Sequence, residues 1–179
     1  MATIEGFTPL QMLLHMNTMP AGMVLGYMNP RSLTRRTFGN PKLSSPADFN
    51  RPEYRRVELP AANGIGQVRS MAKAYGVFAA GGHELGIGED TLKALAAPPT
   101  PPSLSSRDEV LKTEMSYSFG FNRPSKAFRF GSGEKSFGTI GAGGSFGFAD
   151  QEPQVGFAYG PNKMGFHIWD DPREKALRD

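Results

Sequence analysis

The residues whose types and spacing could do chemistry concentrate in one stretch, Phe137-Gly138-Thr139-Ile140-Gly141-Ala142-Gly143-Gly144-Ser145. Glycine inside or beside a strand costs roughly 0.5 to 1 kcal/mol relative to alanine, so this density points to backbone that something must approach closely. A phosphate loop is not the reading. Neither this run nor Gly86-Ile87-Gly88 is followed by a lysine-serine pair or a dinucleotide fingerprint helix. His15, His83 and His167 are isolated and read as surface or internally satisfied side chains rather than metal ligands. Asp108-Glu109 and Asp170-Asp171 are sequence neighbours, which rarely converge on one substrate and read as caps and solvated charge. With no cysteine, a thiol nucleophile, a disulfide framework and a cysteine-ligated zinc are all excluded. The sequence calls for no cofactor.

The elements that must position this stretch follow from its pattern. Gly144 to Ala149 and Val155 to Tyr159 alternate large with small residues, so Phe146 and Phe148, then Val155, Phe157 and Tyr159, share one face. Ser145, Gly147, Ala149, Gly156 and Ala158 share the other, where a helix could come close. The spacing predicts one hairpin, with Asp150-Gln-Glu-Pro-Gln as its turn. A helix is expected from about Val68 to Ala80, with Val68, Met71, Ala72, Tyr75 and Phe78 or Ala79 as its apolar stripe and Gly81-Gly82 as its stop. A shorter helix is expected near Asp90, capped by that residue and stopping before Pro98. The run from Ala97 to Ser106 reads as a stiff polar loop. Met115 to Asn122 and Ala127 to Phe130 read as strands, and Gly131-Ser-Gly as a turn. Asp171-Pro172 opens a terminal helix.

These motifs carry a resemblance. The Phe137 to Ser145 run, followed by Gly147-Phe148-Ala149-Asp150, Gly156-Phe157-Ala158-Tyr159 and Asn162-Lys163-Met164-Gly165, resembles the C-terminal signature of the serine beta-lactamase-related family. That family takes in class C beta-lactamases, penicillin-binding proteins and related esterases. Glu58-Leu59-Pro60-Ala61-Ala62-Asn63-Gly64-Ile65-Gly66, with Arg69 to Gly76 after it, is similar to the family's glycine turn and following helix. The resemblance covers roughly residues 40 to 175. It implies an α+β fold, the C-terminal part of the beta-lactamase/transpeptidase-like fold, with an antiparallel sheet and packed helices. Residues 1–110 would be the remainder of a helical subdomain with connecting loops, and residues 111–179 the closing strands and helix of the sheet domain.

Acyl transfer by serine needs a nucleophile, a base beside it and backbone donors aimed at the developing oxyanion. In the resembled family these are a Ser-x-x-Lys on a helix, a Tyr-x-Asn on a loop, and a strand motif of Lys or His, a small residue, then Gly. The resemblance maps the strand motif onto Thr139-Ile140-Gly141. It implies that Gly141 lets substrate approach and that the Ala142 N–H is an oxyanion donor. Thr139 stands in place of the usual cation or imidazole, and Ile140 brings bulk. Ser70 and Lys73 have the nucleophile spacing, since residues three apart share a helix face, but fall in the later packing helix. Ser132 to Lys135 spells the pattern in a glycine turn. Tyr27-Met28-Asn29 precedes both serines, against the family order, and Lys163-Met164-Gly165 follows the true strand motif. All four are read as chance matches, so no catalytic residue is assigned.

Composition sets the remaining bounds. Twenty Lys and Arg against 17 Asp and Glu give a net charge of +3, too small to imply nucleic acid or an anionic membrane. The arginines between Asn29 and Val57, a stretch expected to be irregular because prolines recur in it, read as solvated charge without an aromatic platform. Residues 1–28 are methionine-rich, with a short helix expected from Pro9 to Met16. They lack a basic start and a long apolar run, so neither a signal peptide nor a membrane span is read, leaving the compartment open and cytoplasmic by default. The expected function is that of a serine hydrolase acting on esters, amides or beta-lactams, lacking its nucleophile and base motifs and inactive alone. The alternatives are a noncatalytic binding or structural derivative of the fold, or a truncated product. The expected partners are a small acyl substrate, if any, and a second copy through an exposed sheet edge.

Overall fold

A computed structural model describes residues 2–98, 100 and 106–179. Most of the expected loop from Ala97 to Ser106 therefore lies outside the described residues. The N-terminal part is a series of short helices: α1 (Pro9–Leu14), α2 (Ala21–Met28), α3 (Leu33–Phe38) and α4 (Pro52–Arg55), with 3-10 turns at Met16–Thr18 and Pro46–Asn50. The stretch from Asn29 to Val57 is thus not irregular. Its prolines start the Pro46 turn and α4 instead of preventing helix, because proline at the first turn sacrifices no intrahelical bond. Hydroxyls begin three of these elements, Thr8 accepting from the Gln11 N–H, Ser32 from the Arg35 N–H and Ser45 from the Ala47 N–H.

Helix α5 (Val68–Ala79) ends as its glycines demand. The Gly82 N–H reaches the Val77 carbonyl at 2.8 Å and the Gly81 N–H the Phe78 carbonyl at 3.5 Å, with Gly81 and Gly82 both at positive φ. Helix α6 (Glu89–Ala96) begins two residues earlier than a cap at Asp90 would place it, with Gly88 at the cap position. Asp90 instead lies in the first turn, where its charge suits the helix dipole.

Five antiparallel strands follow in sequential order: β1 (Tyr117–Ser118), β2 (Phe121–Asn122), β3 (Phe137–Ile140), β4 (Phe146–Asp150) and β5 (Val155–Tyr159). The single strand expected from Met115 to Asn122 is broken into a hairpin. Phe119 and Gly120 both take positive φ, 50° and 83°, which makes the two-residue turn that matches strand twist. Ala127 to Phe130 is not a strand either. Phe128 and Phe130 nonetheless enter the core as loop residues, 1% and 4% exposed.

In the β4–β5 hairpin Phe146 lies opposite Tyr159 and Phe148 opposite Phe157, so the large side chains share one face as expected. Its large face joins Phe128 and Phe130 in an aromatic cluster whose ring centroids lie 5.0 to 5.5 Å apart. Its small face receives α5. A Cβ on Gly156 would collide with Gly76 N and Ala72 O, and one on Gly147 with the Tyr75 ring, so helix and strand meet backbone to backbone. Asp150 accepts from Ser132 Oγ at 2.9 Å and from the Ser132 amide, tying the Gly131 turn to the end of β4. The chain closes with α7 (Pro172–Arg178), capped by Asp171 as expected.

Candidate functional site

The expected site residues occupy the end of β3 and the turn after it. Thr139 pairs with Gly147 and Ile140 with Phe146, the last pair of the β3–β4 ladder. Thr139 therefore points to the α5 side, where Tyr75 lies over its ladder partner Gly147. Burial pushes the Tyr75 phenol up, partly opposed by the nearby Thr139 side chain, so the two meet the surroundings as neutral hydroxyls. Sequence reasoning placed Tyr75 only in a packing stripe. Its spacing four residues before Ala79 gives no sign of the partner on β3.

Gly141 is extended, φ −134° and ψ 160°, and turns its N–H to the Ser145 carbonyl at 2.8 Å. The next amide, of Ala142, then turns away from β4, beyond the last ladder pair. A Cβ on Gly141 would collide with Ser145 Oγ, which explains the glycine without any ligand. Ala142–Gly144 forms a 3-10 turn with Gly143 and Gly144 at φ 80° and 90°. This turn is clamped from α7. Arg173 Nη2 donates to the Gly143 carbonyl at 3.2 Å, the Gly165 N–H to the same carbonyl at 2.8 Å, and Arg173 Nη1 to the Lys163 carbonyl at 2.7 Å. Asp171, 2% exposed, holds Arg173 through contacts of 2.8 Å from both Nε and Nη2, and those hydrogen bonds keep its carboxyl below the usual range. Asp171, read as cap and charge, thus also fixes the glycine turn, while Asp170 pairs with Arg178 at 2.7 Å.

On its other side β3 is paired with β2 only at Gly138 and Asn122, after which the Asn122 side chain takes the Ile140 N–H at 3.2 Å. Among the described residues, no strand lies beside the chain beyond Ile140 on that side. The larger groove, about 510 Å³, lies elsewhere, between the ends of α5 and α6 and the β4–β5 turn. A second void touches Ile140, Phe146 and Trp169 but has no room for a water molecule. Thr139, Gly141 and Ala142 line neither.

The serine–lysine spacings are not brought to this edge. Ser70 is exposed and lies round α5 from Ala72 and Gly76, which face the sheet, while Lys73 reaches Glu84 at 3.7 Å. Ser132 is engaged by Asp150 and, at 3.2 Å, by Glu152. Tyr27 lies in α2 beneath the Arg35 guanidinium, 4.6 Å from its ring centroid. His15 stacks on Phe166 at 4.0 Å, and His167 Nδ1 lies 4.0 Å from Asp171. Among the described residues no group of three His, Cys, Asp or Glu is placed to hold a metal, and no helix is long and apolar enough to cross a membrane.

The fold recurs in known proteins. A penicillin-binding protein homolog from Caulobacter crescentus superposes with a TM-score of 0.61 at 36% identity, over 75% of this chain and 38% of that one. A family VIII carboxylesterase gives 0.62 at 37% identity, over 72% and 34%. The chain carries part of the serine beta-lactamase-related fold. EstA from Arthrobacter nitroguajacolicus Rue61a shares this beta-lactamase-related fold at a TM-score of 0.64 and 26% identity, over 78% of this chain and 38% of EstA. In sequence, the esterase/beta-lactamase LipL of Mycobacterium tuberculosis is 30% identical over 107 residues, 60% of this chain and 24% of LipL. No protein-family model matches. The chain thus spans about a quarter to two fifths of the length of these beta-lactamase-related proteins.

Proposed function

We propose that this chain supplies one wall of a serine acyl-hydrolase cleft for esters, amides or beta-lactams, and that it has no acyl-transfer activity of its own. The observation that carries the reading is the free end of β3: Thr139 beside Tyr75, and the Ala142 amide turned outward by a glycine turn that Arg173 and Asp171 lock in place. A fixed backbone donor that needs no reorganisation is what a developing oxyanion requires. Gly141 leaves the strand edge bare, so that a substrate could lie along it. The wall is uncharged where Thr139 and Tyr75 meet, which favours an acyl compound without a carboxylate at that position. Ser70 with Lys73 and Ser132 with Lys135 are read as structural, so this reading takes the attacking group to lie outside the wall.

The test is labelling of the purified chain with a fluorophosphonate and with a fluorescent penicillin, located by mass spectrometry, alongside hydrolysis of a p-nitrophenyl ester. Neither labelling nor turnover is expected. Covalent modification of Ser70 that disappears in Lys73→Ala would overturn the assignment, because it would make α5 the catalytic helix.

A further inference from the structure

Helix α7 carries a buried acid that takes no part in clamping the glycine turn. Glu174 is 1% exposed, and its Oε2 has no hydrogen-bond partner among the described residues, with Arg178 Nε standing 3.6 Å away. A carboxylate so enclosed is ordinarily paired or hydrogen-bonded, because a bare charge in apolar surroundings costs far more than a neutral acid. Here the surroundings are apolar. Glu174 borders the dry void with Ile140, Phe146 and Trp169, and the same void is bordered by Gly144 and Ser145 of the turn.

The charges nearby do not neutralise an ionised Glu174. Arg178 donates to Asp170 at 2.7 Å and to Asp179 at 3.2 Å, leaves Nη1 unpartnered, and lies over the Phe128 and Phe146 rings at 5.5 and 5.8 Å. One cation thus serves Asp170, Asp179 and Glu174. Asp171 is already matched by Arg173, with His167 Nδ1 4.0 Å from it, and the void's other lining residues carry no charge. Burial raises the Glu174 carboxyl from 4.5 to about 7, Arg178 opposing and the three aspartates adding to the rise. A neutral Glu174 suits this site. An ionised one needs either water, which the void cannot hold, or a cation, which Arg178 supplies only by leaving Asp170.

The remaining response is movement of α7 toward solvent, and α7 is what fixes the turn. Arg173 holds the Gly143 carbonyl, and the Asp171 carboxylate lies so close to Gly144 that a Cβ there would collide with it. We propose that α7 is a pH-responsive latch, docked on the glycine turn while Glu174 is neutral and loosened from it when Glu174 ionises. The latch is a property of the turn itself and holds whether or not the Ala142 amide meets an oxyanion.

Trp169, the only tryptophan in the chain, borders the same void and reports on it. The experiment follows the full chain from pH 6 to pH 8, with circular dichroism showing that it stays folded. Expected are a red shift of Trp169 emission and stronger quenching by acrylamide as water reaches the void, with the midpoint at which the Glu174 carboxyl carbon titrates by NMR. Over the same interval, exchange of the Gly165 amide, which donates to the Gly143 carbonyl, should quicken roughly tenfold more in the wild type than in Glu174→Gln. Glu174→Gln should keep the low-pH emission throughout, whereas His167→Gln should leave the transition in place, since that imidazole is the rival titrating group. If Glu174→Gln does not fold, the wild-type coincidence of carboxyl and emission midpoints decides. Emission and quenching that do not change, a midpoint apart from that of the Glu174 carboxyl, a transition that survives Glu174→Gln or vanishes in His167→Gln, or equal Gly165 exchange in wild type and Glu174→Gln would each overturn the inference.

Discussion

The two halves of this molecule are held together by different forces. From Val68 onward, packing is interlocked. A glycine on the helix meets a glycine on the strand, Phe137 is fully buried between Ala79 and Ala149, and five phenylalanines stack beneath the sheet. Before it, helices of four to eight residues leave Leu10, Leu13, Leu14, Leu25 and Met28 between 58% and 71% exposed. That half is tethered by polar and stacking contacts: Thr34 Oγ1 to the Val110 carbonyl at 2.7 Å, Thr18 Oγ1 to the Phe166 carbonyl at 3.0 Å, the Glu5 N–H to the Asn162 carbonyl at 2.8 Å, and His15 on Phe166. The contrast teaches that stability here follows shape complementarity of the backbone more than the number of leucines available.

The sharpest way to break the contrast is in the sheet. Phe137→Ala should cost about 3 to 5 kcal/mol, read from urea melts, because it empties a fully enclosed site. Gly156→Ala should cost about 1 to 3 kcal/mol or more, since the added methyl meets the backbone of Ala72 and Gly76 rather than a side chain able to move. A neutral result for Gly156→Ala would mean that α5 does not rest on β5.

A subtler contrast lies within α7. Burial pushes Glu174 from 4.5 up to about 7, with Arg178 opposing and Asp170 adding to the rise, while Asp171 is held low by Arg173. The signs are opposite. Because folded Glu174 binds its proton more tightly than the unfolded chain does, its contribution is most favourable below pH 4.5 and is lost as pH rises through about 7. Asp171 contributes above its unfolded value and loses that contribution as pH falls. Glu174→Gln should therefore raise the melting temperature at pH 8 and flatten its decline between pH 5 and 8. An unaltered pH profile would show that Glu174 is not buried as a carboxyl. Smallest of all, Leu14→Ser should shift stability by no more than about 0.5 kcal/mol, measured in the same melts, because that side chain is 70% exposed.

What could be read ahead of the structure was what a short window encodes. The β4–β5 hairpin, its small face, the stop of α5 at Gly81-Gly82 and the Asp171 cap each rest on residues within a few positions of one another. The Phe119-Gly120 turn was hidden because Tyr117, Phe119 and Phe121 alternate as a single strand would, and only the left-handed backbone at Phe119 breaks it. Arg123 was hidden for a different reason. At 2% exposure it gives its guanidinium to the Leu95, Ala96 and Glu134 carbonyls, ending α6 from 27 residues away. Of the candidate site, the glycine turn was legible, whereas its partners Tyr75 and Arg173 were not, since nothing in their own surroundings marks whom they reach.

The sequence by itself determined periodicity, caps and turns, because alternation, glycine conformation and side-chain caps act over a few residues and need no distant partner. Tertiary structure alone decided which glycine faces which, that Thr139 faces a phenol, and that a helix rests on β4 and β5. Those outcomes depend on contacts between segments far apart in the chain, whose geometry exists only once both surfaces have been brought together.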